Sequence, residues 1–385
     1  MNKFGGIWLN KRKIVFLTGT RADFGKLKPL ISKIENNDNF DCYVFVTGMH
    51  TLSKYGSTYS EVEQENFKNI FIFMNQTNTT DPDFILANTI TGFGNFVKEI
   101  DPDLIVIHGD RIEALAGAIV GMLNNILTAH VEGGELSGTV DDIIRHSITK
   151  MSTTHFVSNN EAKNRLMQMG ENENSIFLIG SPDIDIMTNP NLPVIENVKK
   201  HYEIPFENYG ILIFHPVTTE LDNLPNNVSE IVNALVQSKK QFIVIYPNND
   251  PGSEIIFSEY AEIVNNPNFR VFPTLRFEYF LSLLKNADFI IGNSSAGIRE
   301  SVVYGIPSIN IGSRQKNRTK NQNIINVNPT KSEILNALDS LPSSKFNPSF
   351  DFGDGKSSER FLDIMNNDLI WNLILQKQFV DRNSW

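Results

Sequence analysis

Two neighbouring stretches, Leu104–Gly117 (LIVIHGDRIEALAG) and Ile126–His146 (ILTAHVEGGELSGTVDDIIRH), decide how this chain folds. In each, an apolar run, Leu104–Ile107 and then Ile126–Val131, stops abruptly at glycine and acid. Short apolar runs bounded by turn residues read as buried strands of a parallel sheet. In an open parallel sheet, ligands sit in the crevice beyond the carboxyl ends of the strands. Asp110, Glu132 and Asp141 follow these runs, so acids distant in sequence can face one substrate together. Opposed carboxylates suit removal of a proton at one carbon and its delivery at another. The plainer alternative is that Asp110 and Glu132 cap the helices that follow.

The same punctuation recurs on either side. Further strands are expected at Ile14–Leu17, Tyr43–Val46, Ile70–Phe73, His155–Val157 and Phe177–Ile179. The Pro- and Asn-rich segment Ser181–Pro193 reads as a linker. A second series then follows at Ile211–Phe214, Phe242–Tyr246, Val271–Phe272, Phe289–Ile291, Ser308–Ile311 and Ile324–Val327. Strands alternating with helical stretches are the signature of βαβ units. We therefore expect an α/β protein of two doubly wound domains, residues 1–183 and 184–364, with a cleft between them. Glu359–Phe379 reads as helical, and residues 365–385 are expected to cross back onto the first domain.

Composition narrows the function. At about 150 residues per domain, a chain of 385 residues accommodates two to three domains. A net charge of −10 argues against broad binding to nucleic acid or an anionic membrane, and leaves room for a small anion held by local arginines. The single cysteine, Cys42, excludes an intrachain disulfide and reads as a core residue. MNKFGGIWLNKRK at the N-terminus lacks the apolar core of a signal peptide, and no run approaches a membrane span. A cytoplasmic protein is expected.

The strand exits are rich in polar groups: LTGTRADFG, VTGMH, IHGD and HVEGGE in the first half, then FHPVTTE, YPNND, IGNSSAGIRE and NIGSRQKNR in the second. Such exits can line one cleft, the usual place for a site in these folds. In Ile291–Glu300 a strand passes into a helical segment, where Ser294 and Ser295 could hold phosphate oxygens at a positive helix end. Glu300, about two helical turns further on, could accept hydrogen bonds from a ribose diol. Arg21 and Arg314 are natural diphosphate partners, because guanidinium offers several fixed donors. His215 directly follows a strong strand; a lone histidine there is more often structural, but a place facing the acids of the first half fits the cleft. No GxxxxGK[ST] loop, GxGxxG turn, CxxC, HExxH or GxSxG element is present. The spacing of His108, His130, His146 and His155 matches no common metal-ligand set, and no metal is expected.

TGTRADFGKLKP, VTGMH, HGDRIEAL, HVEGGELSGTVDDIIRHSITKMSTTHF, FHPVTTE, GNSSAGIRE and GSRQKNR together resemble the hydrolysing UDP-N-acetylglucosamine 2-epimerases of sialic acid biosynthesis, the NeuC family. The resemblance runs from about residue 13 to about residue 320, and its HVEGGE…DD…RHSITK block is the most specific part. It implies two Rossmann-like domains in a GT-B arrangement with the active site in the interdomain cleft, no nicotinamide or other cofactor, and a homodimer, with a tetramer as the alternative. It also implies a reaction: anti-elimination of UDP from UDP-GlcNAc to give 2-acetamidoglucal, then hydration to N-acetylmannosamine. By the same resemblance, Asp110, Glu132 and Asp141 match the essential acids and His215 a cleft histidine. Arg21, Ser294, Ser295, Glu300 and Arg314 match nucleotide contacts, with Lys26, His50 and Arg111 as further substrate contacts.

Two departures bear on the chemistry. Gly25 stands where some relatives have serine, so a hydroxyl contact there is absent or replaced by backbone. Reversible relatives carry an EAGLR-type turn where this chain has Glu132-Gly133-Gly134-Glu135. We expect Gly134 to leave room there and Glu135 to add a carboxyl near the glucal. Three rivals share the motifs: a sister hydrolysing epimerase acting on a UDP- or GDP-linked 2,4-diacetamido-trideoxyhexose of the legionaminic acid pathway, a GT-B glycosyltransferase, and a non-enzymatic nucleotide-sugar sensor.

Overall fold

The computed structural model describes residues 11–77, 80–137, 140–315, 321–342 and 344–381. Its first sheet contains β1 (Arg12–Thr18), β2 (Phe40–Val46), β3 (Ile70–Ile72), β4 (Leu104–His108), β5 (Leu127–Val131), β6 (Thr154–Val157) and β7 (Ile176–Leu178). The second contains β8 (Gly210–Ile213), β9 (Phe242–Ile245), β10 (Phe269–Phe272), β11 (Phe289–Gly292), β12 (Ser308–Ile311) and β13 (Ile324–Val327). The spatial orders are β3-β2-β1-β4-β5-β6-β7 and β10-β9-β8-β11-β12-β13. Every pairing is parallel, including β1 with β2 and β4, and β8 with β9 and β11. Strand order therefore reverses between β1 and β4 and again between β8 and β11, which is where crevices open in doubly wound sheets.

The local chemistry explains why the decisive stretch folds as it does. All five residues of β4 and all five of β5 are buried, as expected for sheets covered by helices on both faces. The helix Ile112–Leu123 can lie close on them because it carries glycine at its contact points. A Cβ at Gly121 would come within 2.0 Å of Thr128 Oγ1.

Two segments depart from expectation. Within Ser181–Pro193, Pro182–Met187 is a helix with proline in its first turn, and Ile184, Ile186 and Met187 join the second core. Pro182 suits a helix start, and its apolar neighbours supply a face to bury. The segment that pattern alone reads as a linker is thus a packed connector. At the other end, the helices Ser357–Met365 and Asp368–Trp371 replace one continuous helix over Glu359–Phe379. Phe361, Met365 and Ile370 already belong to the first core, so the chain has returned before residue 365.

Candidate active site

The loops beyond both sheets enclose a cleft of about 840 Å³, within the range of small-molecule sites. On the first-sheet wall, Asp110 follows β4. The next helix is capped by Arg111 with no side-chain cap bond, so Asp110 does not serve as its cap. Instead Ser137 Oγ donates to Asp110 Oδ2 at 3.1 Å, and Arg145 forms a close ion pair with the same oxygen. Arg145 also donates to the Glu132 carbonyl at 2.7 Å, tying the two strand exits together. His130 Nε2 lies 2.7 Å from the Gly109 carbonyl oxygen and adds a second tie. Asp141 stands in the first turn of the helix Val140–Met151.

Glu132 lies deepest. Its backbone is left-handed, with φ of 61°, and its side chain is almost wholly enclosed. Arg299 donates to both of its oxygens, at 2.6 and 3.0 Å, and Ser181 Oγ donates to Oε1. His108 Nε2 stands 3.0 Å from Oε2 and Lys26 Nζ 3.6 Å from it. Burial disfavours the charge, but Arg299, Lys26 and His108 outweigh it and hold the carboxyl well below its ordinary range. Lys26 is also 3.3 Å from Asp183 and 3.8 Å from Glu300. These acids keep it protonated against burial and the repulsion of Arg299.

The second-sheet wall supplies cations and a histidine. Arg314 donates to the Asn293 carbonyl at 3.3 Å and across the cleft to Asp141 Oδ2 at 3.1 Å. His215 Nδ1 accepts from the Asn248 backbone N–H at 3.0 Å, which leaves the ring proton on Nε2. Burial, with Arg314 and Arg111 nearby, pushes its pKa well down, so the ring is a neutral donor. Arg111 bridges the walls through Asn249 at 3.1 Å, and Arg21 does so through Thr274 at 2.8 Å while pairing with Glu61. Gly25 lets the walls approach, since a Cβ there would meet the Phe277 ring at 2.6 Å. No side chain larger than glycine fits at that contact.

A family profile for UDP-N-acetylglucosamine 2-epimerase matches residues 32–366. A protein of that name from Neisseria meningitidis is 49% identical, covering 97% of this chain and 100% of its own. The chain belongs to the UDP-N-acetylglucosamine 2-epimerase family. A Legionella pneumophila relative, UDP-N,N'-diacetylbacillosamine 2-epimerase (hydrolyzing), is 34% identical over 95% of this chain and 98% of its own. Among solved structures, the Methanocaldococcus jannaschii UDP-GlcNAc 2-epimerase in complex with UDP-GlcNAc and UDP matches with a TM-score of 0.79 at 25% identity. That match covers 92% of this chain and 99% of the other. The GT-B-like fold expected from the sequence is the fold found.

Of the residues singled out from the sequence of this family member, Asp110, Glu132, Asp141, His215, Arg21, Lys26, Arg111, Ser294, Ser295, Glu300 and Arg314 line the one cleft. His50 does not. It is fully buried between Thr18 Oγ1 at 3.1 Å and Thr58 Oγ1 at 2.8 Å, and burial pushes its pKa down to about 3. It pins the loop after β2. The positive helix end expected at Ser294 is also absent. Ser295–Gly297 is a single 3-10 turn, the helix Glu300–Val303 is four residues long, and Ser294 Oγ accepts from Ala296 N–H. Segments this short sum few peptide dipoles, so the hydroxyls and Arg314 must carry any phosphate contact. Glu300 starts that short helix rather than lying two turns along it. Its Oε2 is buried without a hydrogen-bond partner. Burial raises its pKa, with Lys26 opposing and Asp183 reinforcing the rise.

The expected roles of Gly134 and Glu135 also change. A Cβ on Gly134 would meet the Ala162 carbonyl oxygen at 2.5 Å, so the space is filled by backbone rather than open to a sugar. Glu135 accepts from Ser158 Oγ at 2.7 Å and pairs closely with Arg299. Pattern reasoning missed Arg299, Asp183 and Ser181 altogether. The only signals were an arginine beside Glu300 and an acid just after the proline of Ser181-Pro182-Asp183.

Proposed function

We propose that this protein is a hydrolysing UDP-GlcNAc 2-epimerase that supplies N-acetylmannosamine for sialic acid synthesis, acting in the cleft between its two sheets. The observation that carries the proposal is the division of labour across that cleft: carboxylates from one wall face His215, Arg314 and paired serine hydroxyls on the other. The Neisseria relative adds support through its name, and the Legionella relative supports the hydrolysing outcome.

The C2–H bond beside an acetamido group is barely acidic, so its proton must leave as UDP departs from C1. Breaking C1–O and C2–H together gives UDP and 2-acetamidoglucal; water then adds to C1 and a proton to C2. Arg314, the serine hydroxyls and the Nε2–H of His215 stabilise charge growing on the departing diphosphate. A neutral histidine donor suits this role better than that of a base, because its Nδ1 is already occupied. Glu132, held ionised and enclosed, stabilises carbocation-like character at C1, as carboxylates do in glycoside hydrolysis. Asp110 and Asp141, with 24% and 30% side-chain exposure, remain the groups that exchange protons with substrate and water.

Incubating the purified protein separately with UDP-GlcNAc and with a UDP-linked 2,4-diacetamido-trideoxyhexose, and following products by NMR, tests the substrate. Free N-acetylmannosamine from the first is the expected product. Turnover of the second alone would transfer the assignment to the sister epimerases.

A further inference from the structure

Arg299 lines the cleft, yet its guanidinium is turned to protein carboxylates. Nη1 donates to Glu132 Oε2 at 3.0 Å and pairs closely with Glu135, while Nη2 donates to Glu132 Oε1 at 2.6 Å and to Ser181 Oγ at 2.5 Å. Its guanidinium lies 4.8 Å over the Phe352 ring, and the residue is only 3% exposed. Arg299 leaves the loop after β11 of the second sheet, whereas Glu132 and Glu135 follow β5 of the first. The titratable and charged groups facing Glu132 from every packed element are His108 at the end of β4, Lys26 on the first helix, Arg145 behind its carbonyl, and the acids Glu135, Asp183 and Glu300. Among these, Arg299 alone grips both Glu132 oxygens.

We infer that Arg299 is a positioning residue: reaching from the second sheet, it holds both oxygens of Glu132 and so fixes the orientation of a carboxylate that belongs to the first. The inference rests on the proposed role of Glu132 in elimination. A two-pronged arginine can fix the plane of a carboxylate as well as its charge. Lysine at the same place would supply charge from a single point, without the fork.

The experiment compares wild type, Arg299→Gln, Arg299→Lys, Ser181→Ala and Glu132→Gln, following UDP release from UDP-GlcNAc across pH, with UDP binding by calorimetry. In Arg299→Gln we expect kcat to fall while UDP affinity holds, and the acid limb of kcat/KM to move up by about one pH unit or more, the usual effect of losing an adjacent opposite charge. Arg299→Lys should recover most of the pH profile but less of kcat. Ser181→Ala, which keeps every charge but removes one donor, should lower kcat and move the limb by less than the loss of Arg299 does.

Should Arg299→Gln fail to fold, because it leaves buried acids uncompensated, the Lys and Ala pair carries the test. In that case a limb moved further by Ser181→Ala than by Arg299→Lys, or full kcat in Arg299→Lys, overturns the inference. With folded Arg299→Gln, an unmoved acid limb or weakened UDP binding overturns it. Glu132→Gln separates the two claims. If it turns over normally, the proposed role of Glu132 fails and the inference with it; if it is inactive while the limb of folded Arg299→Gln stays fixed, only the inference fails.

Discussion

Two buried carboxylates in this molecule have nearly the same chemistry and different uses. Glu132 is held down by Arg299, Lys26 and His108; Glu171 is held down, to about 2, by His155, Lys377 and Lys150 against its burial. The Glu171 knot lies away from the cleft, with Lys150 and Lys377 partly exposed. Lys377 donates to Glu171 and to the carbonyls of Thr149 and Ser152, and Phe379 packs over Gly170, so the knot fastens the end of the chain to the first sheet. The Glu132 knot opens onto the cleft, draws its main cation from the other sheet, and has Glu300 Oε2 beside it without a partner. A depressed carboxyl pKa therefore does not mark a site by itself. An open cleft, partners from two walls and neighbours with spare hydrogen-bonding capacity do.

Substitutions can break or sharpen this contrast. Glu132→Gln should lower kcat by roughly 10²- to 10³-fold, the scale of losing one preorganised electrostatic stabiliser of the transition state, with the fold intact by circular dichroism. Normal turnover would place the two knots in the same structural class. Asp110→Asn and Asp141→Asn should each cost roughly 10²-fold in kcat without weakening UDP binding, because the proposed reaction uses both acids at the sugar. Calorimetry checks this, and for Asp141→Asn the affinity should be equal or tighter, since Arg314 then loses a competing partner. Arg314→Ala should weaken UDP roughly ten- to hundredfold, as expected for one charge-assisted contact. Unchanged affinity would put the diphosphate elsewhere.

The smallest effect is expected at the Glu171 knot. Glu171→Gln should destabilise the protein by about 1–3 kcal/mol, while turnover per folded molecule stays the same. Because Glu171 is depressed in the folded state, its contribution is full above the ordinary carboxylate value and is lost as pH falls toward about 2. The gap in thermal midpoint between wild type and variant should thus be wide at pH 7 and narrow at acid pH. A gap independent of pH would contradict the assignment.

Much of this architecture is legible from local pattern. Apolar runs ending in Gly and acid marked β4 and β5, and the exits beyond them proved to share a cleft. Side-chain partnership was less legible, because it depends on how the two sheets meet. Arg299 reads as an ordinary helix residue until the second sheet brings it onto Glu132. Asp183 is hidden in a segment whose prolines and asparagines suggest a loop, although its apolar residues bury a helix face. His50 misleads in the opposite way. A histidine after a strand looks like a ligand group, but two threonine hydroxyls already occupy both ring nitrogens.

The central claim is that UDP leaves by C1–O cleavage with C2–H removal and that water finishes the reaction at C1. Reaction of UDP-GlcNAc in H₂¹⁸O and D₂O, analysed by mass spectrometry and NMR, tests it directly. The expected products are free sugar carrying ¹⁸O, N-acetylmannosamine with deuterium at C2, and unlabelled UDP. Label in the UDP phosphate, a product without deuterium at C2, or accumulation of UDP-linked N-acetylmannosamine would contradict it.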